Sequence, residues 1–374
     1  MKFLYFLFAA GLVSTLLFAQ ETPVSPETIQ SVDALNKDTH PLIISGFGVG
    51  TYNYLFNNNQ NTFSSSALAL SVFKQVNDRL SVFAQLTTSL EGPSSFLAES
   101  GGGTESETEI DNLQLRWVPS TRGPEIVFGK FDSPMGIERD DAPLNYQATE
   151  SFNFTFGRPV KFTGVQLHQA FSEHFEGWAI LANGWDQDPD NNKGKTFGAY
   201  GMWIPKSGLH IGLGEILGPE SDGSEGGTRK ETIATFQLQP ASNIVIGAEG
   251  NYGTEPFVAS ESSSEWYGGL AFIHYRFPKQ FAVTLRYESF RDRDGARTGV
   301  PQTLSSFTIS PQYIFSRGFY GIFRYLERTT MSLPEVAVRV DIRFDHSNEP
   351  VFVSNSEEGK KDNPSVTFQT VFLF

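Results

Sequence analysis

The chain has 374 residues and a net charge of −14 with no basic stripe, which excludes nucleic acid as a partner. Apolar residues make up 39%, too few for a bundle of membrane helices, and the absence of cysteine removes disulfides and thiolate metal sites. With 34 Phe and 35 Gly, the composition favours a large β protein with tight bends.

Residues 1–19, "MKFLYFLFAAGLVSTLLFA", join Lys2 to a short apolar run and read as a secretory signal peptide. Residues 20–41 form a polar, Pro-containing periplasmic lead-in. From Leu42 to Phe374 one rhythm continues without a linker. The segments 42–56, 63–76, 79–91, 106–118, 124–131, 160–171, 174–185, 195–205, 208–218, 229–240, 243–254, 264–277, 280–292, 302–315, 335–347 and 365–374 read as sixteen strands. Very short connectors at Asn77–Asp78, Ser172–Glu173, Lys206–Ser207, Ala241–Ser242 and Pro278–Lys279 take turns with longer ones rich in Gly, Ser, Asn and acids. Tight turns at one end and long loops at the other are the plan of a transmembrane, antiparallel, up-and-down β-barrel over residues 42–374. The stretch 317–335 reads as an enlarged periplasmic connection. Pairing of both it and "PVFVSN" would raise the count to eighteen.

The side-chain alternation has a direction. In "EVAVRVDIRFDHS", Val336, Val338, Val340, Ile342 and Phe344 share one parity, and Arg339, Asp341, Arg343 and Asp345 share the other. A water-soluble periplasmic sandwich also alternates with period two. Three features favour the barrel instead. Opposite charges alternate on the polar parity, as a water-filled lumen allows; Arg116, Arg286 and Glu288 extend that set. Aromatics sit near strand ends as an interfacial girdle: Tyr54, Trp117, Trp178, Trp185, Trp203, Trp266, Tyr275 and Phe277. The last strand, "SVTFQTVFLF", puts Val366, Phe368, Thr370, Phe372 and Phe374 on one outward face, and Phe368, Phe372 and Phe374 are expected to act as the signal read by the outer-membrane assembly machinery.

One connector differs from the rest. Residues 131–159, "FDSPMGIERDDAPLNYQATESFNFTFGRP", combine a charge cluster with Phe152, Phe154 and Phe156. Apolar anchors in a long connection argue for packing, and inside a barrel such a loop narrows the lumen. The expected constriction residues are Lys130, Glu138, Arg139, Asp140, Asp141, Arg158 and Lys161, with Lys130, Arg158 and Lys161 facing Glu138, Asp140 and Asp141 across the opening. The alternative is a loop lying over the rim or packing on a neighbouring subunit.

Gly129, Lys130 and Phe131, followed by Pro134, Gly136 and Glu138, resemble a motif of the outer-membrane β-barrel porins of the OmpL-like, beta-barrel porin-2 type, distant relatives of phosphate- and sugar-selective porins. Arg286–Gly295 resembles that family's late strand and loop, and Arg343, Asp345, Ser347, Asn348 and Phe352 its near-terminal segment. The resemblance implies a diffusion channel without a cofactor, for which a homotrimer is one assembly.

Enzymatic chemistry finds little support. His40, His168, His174, His210, His274 and His346 are scattered and lie in no nucleophile or acid motif; His168 and His274 read as lumen or interface residues. "DQDPDNNKG" at 186–194 has the acidic density of a calcium loop without its spacing or closing Glu. No catalytic or metal residue is assigned. The expected function is a passive channel for small hydrophilic solutes or ions in the bacterial outer membrane, in contact with membrane lipid and lipopolysaccharide. The alternative is a structural or adhesive barrel without significant flux.

Overall fold

In this computed structural model the described residues are 42–90, 106–120, 123–220, 227–256, 263–277, 280–318, 333–355 and 359–374. The expected signal peptide, the lead-in and most of the 317–335 connection lie outside them. The first eight strands are β1 Leu42–Leu55, β2 Gln60–Asn77, β3 Leu80–Leu90, β4 Ser106–Trp117, β5 Glu125–Asp132, β6 Lys161–Ser172, β7 Phe175–Ala182 and β8 Thr196–Lys206. The second eight are β9 Leu209–Gly218, β10 Arg229–Ala241, β11 Ile244–Pro256, β12 Ser263–Arg276, β13 Phe281–Asp292, β14 Gln302–Gly318, β15 Leu333–Ser347 and β16 Asp362–Leu373. Each pairs with its sequence neighbours, and β1 closes on β16, so sixteen antiparallel strands form one closed all-β barrel. Closure leaves no sheet edge to be satisfied by solvent, which is the condition for strands to cross a bilayer.

The strand limits lie within three residues of those read from the sequence. The eighteen-strand count is not realised. β14 and β15 pair directly with each other as far as Gly318 and Leu333, and β15 pairs with β16 on its other side. From "PVFVSN", Phe352 makes one isolated bridge to Lys360.

The barrel is polarised in the expected sense. Ile342 and Phe344 are 36% and 53% exposed on the outer face, whereas Arg343 between them and Asp341 beside them are 8% and 0% exposed. Leu113, Phe128, Leu213, Tyr287 and Phe315 continue the apolar exterior, a surface that lipid tails solvate. The interior departs from the simple expectation of ions around water. On the inner side of β5–β10, Val127, Phe131, Phe162, Ile180, Tyr200, Ile216 and Ile233 form a dry cluster. The girdle is corrected as well. Trp117, Trp203 and Phe277 are exposed, but Trp185 and Trp266 are buried inside in edge contact, and Trp178 packs on the interior cluster. The reason is parity and place: Trp266 shares the inward side of β12 with buried Ser264, and Trp185 lies beyond the end of β7.

The seam between β1 and β16 explains the terminal aromatics. Val371 and Leu373 face inward, whereas Phe372 and Phe374 are exposed on the outer face. Phe372 pairs with Gly48, and the Phe374 amide and carbonyl bond to Gly46 at 2.9 and 2.8 Å. A Cβ at Gly48 would stand 2.1 Å from the Phe372 ring, so the ring covers the glycine and fills its missing side chain. Gly48→Val is expected to open this seam and to reduce the folded, heat-modifiable band on gels after refolding in detergent. An unchanged folded fraction would contradict that role.

Candidate functional site: the segment inside the barrel

Between β5 and β6 the chain leaves the wall and turns into the interior as residues 133–160, with a 3₁₀ turn at Ala142–Leu144 and a π-helical turn at Asn153–Gly157. Gly136 has φ +93°, and a Cβ there would meet the Arg158 guanidinium at 2.3 Å, so glycine is needed for both the bend and the close approach. Irregular backbone inside a barrel leaves amides and carbonyls without regular partners. Inward side chains of the strands supply them.

On β15, Asp341 accepts from the Ala148 amide at 3.1 Å, the Thr149 amide at 2.8 Å and the Thr149 hydroxyl at 2.7 Å. Arg339 donates to the Ala142 carbonyl at 2.9 Å and the Gln147 carbonyl at 3.3 Å, and Arg343 to the Glu150 carbonyl. On β13, Arg286 donates to the Glu138 carboxylate and to the carbonyls of Thr149 and Glu150, while Glu288 accepts from the Phe152 amide. On β11, Glu249 accepts from the Ile137 amide at 2.6 Å and pairs with Arg158 at 3.2 Å. On β3, Gln85 donates to Asp141 at 2.8 Å. The alternating charges of β15 are therefore a rail that docks the segment.

Apolar anchors divide the same task. Met135 enters the β5–β10 cluster, with its thioether against Gly214 and Gly198. Ile137 and Tyr146 pack on Val245, Leu270 and Phe272; Ala142 and Leu144 on Phe47, Val49 and Val371; Phe152 and Phe156 on Trp266, Phe290 and Leu304. Four separate patches of wall thus hold one segment, which closes the alternative of a loop lying over the rim.

The predicted constriction residues divide into those that converge and one that does not. Glu138, Arg139, Asp140, Asp141 and Arg158 line one small pocket, together with Asp132. Lys161 stands beside it, its ammonium 2.9 Å from Asp140, 2.7 Å from Asp111 and 2.6 Å from Asp132. Lys130 is elsewhere: register sets it opposite Leu113 and Thr163 on the outward parity, and its ion pair is with Glu109 at 3.7 Å. The expected opposition of cations and anions across a gap is corrected too. Lys161 touches Asp140, and Arg158 donates to the Met135, Glu138 and Pro159 carbonyls, so these cations are paired in place. Among the lumen residues, Arg116 pairs with Glu125 at 2.6 Å, and Arg343 links Glu288 at 3.4 Å to Asp345 at 2.6 Å.

Asp111, Asp132 and Asp140 bring carboxylate oxygens within 4.8 Å of one another, and the Lys161 ammonium is the cation that the chain itself places among them. In the loop after β7, Asp186 accepts from the amides of Val160 and Lys161, and Asp190 from Asn192, so these acids serve the backbone. His168 stacks on Trp178 and bonds Glu176 at 3.0 Å; His274 stacks on Tyr146 of the segment.

Sequence reasoning missed Asp111, Glu249 and Glu150. Glu150 lies in the quoted segment and its only sequence signal is a lone acid before an aromatic run. The residue is exposed to solvent, although protein surrounds its carboxyl group. That confinement, with Asp140 and Glu138 nearby, pushes the carboxyl up to about 8. Burial and the neighbouring Asp132 hold Asp141 well above the usual carboxylate range.

The family described as "Putative beta-barrel porin-2, OmpL-like" matches residues 44–374. No curated protein matches. Among solved structures, the trimer form of OmpT, an outer membrane protein of Vibrio cholerae, is 13% identical, covering 90% of this chain and 100% of that one at a TM-score of 0.57. An anion-selective porin from Comamonas acidovorans is 9% identical, with 90% and 100% covered and a TM-score of 0.59. OprB of Pseudomonas putida is 11% identical, with 96% and 100% covered and a TM-score of 0.59. At these identities the likeness is one of fold.

The docking rail makes a measurable claim. Asp341→Ala removes the charged acceptor of three segment bonds and leaves their part-buried donors unpaired, a loss of about 1–3 kcal/mol. Trypsin should then cut after Arg139 in the folded, detergent-solubilised variant and leave that bond intact in the parent protein. Equal resistance in both would show that the segment is held without Asp341.

Proposed function

The chain belongs to the OmpL-like beta-barrel porin-2 family of the bacterial outer membrane, and from that premise we propose that it is a passive diffusion channel for small hydrophilic solutes or ions. The observation that carries this reading is the inward segment. It is tied to the wall on several sides, yet Asp140 and Glu150 remain exposed to solvent within the barrel. A polar, solvent-reached gap beside a fixed segment is how a wide barrel becomes a sieve, since bore and lining charge decide what passes. The reading includes no catalytic step and no cofactor. Its proposed partners are outer-membrane lipid, lipopolysaccharide at the loop end, the assembly machinery acting on Phe368, Phe372 and Phe374, and a homotrimer of the kind named for the OmpT structure.

The dry clusters favour a second reading, a barrel closed by its own segment that serves as a platform for its loops. The two readings part in planar bilayers. A channel gives ohmic steps, and replacing residues 137–150 by a short Gly/Ser linker should raise the step size several-fold while the folded band persists. Folded protein that gives no steps and no swelling of sugar-loaded liposomes would establish the closed platform.

A further inference from the structure

We propose that the passage favours small cations over anions, and that Asp140 and Glu150 are the side chains that set this preference. The inference rests on the channel reading above and adds the class of solute. It comes from where the two signs of charge are placed inside the barrel.

The interior guanidiniums are withdrawn from solvent. The side chains of Arg158, Arg286 and Arg343 are 2%, 1% and 9% exposed, and Arg339 is fully buried. Their hydrogen bonds and ion pairs go to the Met135, Ala142, Gln147, Thr149 and Glu150 carbonyls and to Glu138, Glu249, Glu288 and Asp345. A cation whose hydrogen bonds point into protein, beside a carboxylate, offers little field to a passing anion. Arg139 is half-buried and donates to the Ser133 carbonyl. Lys161 is 13% exposed and is shared among Asp111, Asp132 and Asp140, so one ammonium answers three carboxylates.

Two acids of the segment are disposed the other way, although Glu249, Glu288, Asp341 and Asp345 are buried like the arginines. The Asp140 side chain is 37% exposed at the pocket, and Glu150 is exposed between the strands that hold its own carbonyl. A unit charge about 4 Å from an ion in water is worth about 1 kcal/mol, a factor of about five in local concentration. Glu150 faces Asp140 and Glu138 of the segment, Arg158 at its end, Arg286 of β13 and Arg343 of β15. Its carboxyl, held up near 8, is neutral below that pH and anionic above it, so its share of the preference grows as pH rises.

The experiment is the reversal potential of the full protein in planar bilayers under a KCl gradient, at pH 6 and pH 9.5, for the parent, Glu150→Gln, Asp140→Asn and the double variant. The parent should pass K⁺ over Cl⁻ at both pH values, more strongly at 9.5. Glu150→Gln should lower the ratio by about two- to fivefold at pH 9.5 and leave pH 6 nearly unchanged, whereas Asp140→Asn should lower it at both. Both substitutions are close in size, and the heat-modifiable band confirms folding. A parent ratio at or below one, or a double variant indistinguishable from the parent, overturns the assignment while leaving a conducting channel. Absence of conductance from all four folded proteins removes the channel reading itself, and this inference with it.

Discussion

Irregular backbone cannot lie inside a barrel unless something accepts from its amides and donates to its carbonyls. That requirement governs this molecule. Residues 133–160 carry the polar groups of a long connection into the interior, and only side chains on the inner parity of the strands can meet them. Arg286, Arg339, Asp341 and Arg343 do so with charged groups, whose hydrogen bonds are stronger than neutral ones. The same charges would be costly if buried alone. Segment and rail therefore satisfy each other.

The exterior obeys a simpler rule. Lipid tails ask for apolar groups, and every strand answers on its outward parity. The interior has two regimes. Where the rail runs, on β13 and β15, it is polar and hydrogen-bonded to the segment. Where Met135 enters, on β5–β10, it is as dry as the core of a soluble protein. A porin interior is usually described by its water, but here the segment and the wall share four apolar contacts before any water is counted. Rigidity follows from that division, because anchors on different strands leave the segment no single hinge.

The electrostatic outcome depends on the same packing. Docking consumes guanidiniums, since they alone offer several donors in a fixed fork to successive carbonyls. Carboxylates serve the rail at Asp341, Glu249 and Glu288, and those not needed remain beside the gap. An interior that carries charges of both signs can thus present mostly one sign to solvent.

The sequence by itself determined the barrel, the direction of each side chain on β13, β15 and β16, and the one connector that differs from the rest, while leaving open sixteen or eighteen strands and whether that connector turns inward. These are local properties: alternation with period two, connector length and an unusual loop composition are all written within a few residues. Five of the seven expected constriction residues line one pocket because they sit together in one segment. What the tertiary structure decided is who partners whom. Arg339 finds the Ala142 carbonyl 197 positions away, and nothing near either residue announces it. Lys130 and Lys161 look alike in sequence and share one parity by register, yet Lys130 pairs with Glu109, whereas Lys161, at the first position of β6, stands among three aspartates. Trp266 and Trp185 look like girdle residues and are core. Strands β7–β9, apolar on both parities at Ile180, Leu181, Leu213 and Ile216, did carry a hint that their inner face is dry. Reading it required knowing that Met135 would come to meet them, and that contact exists only once the barrel has closed.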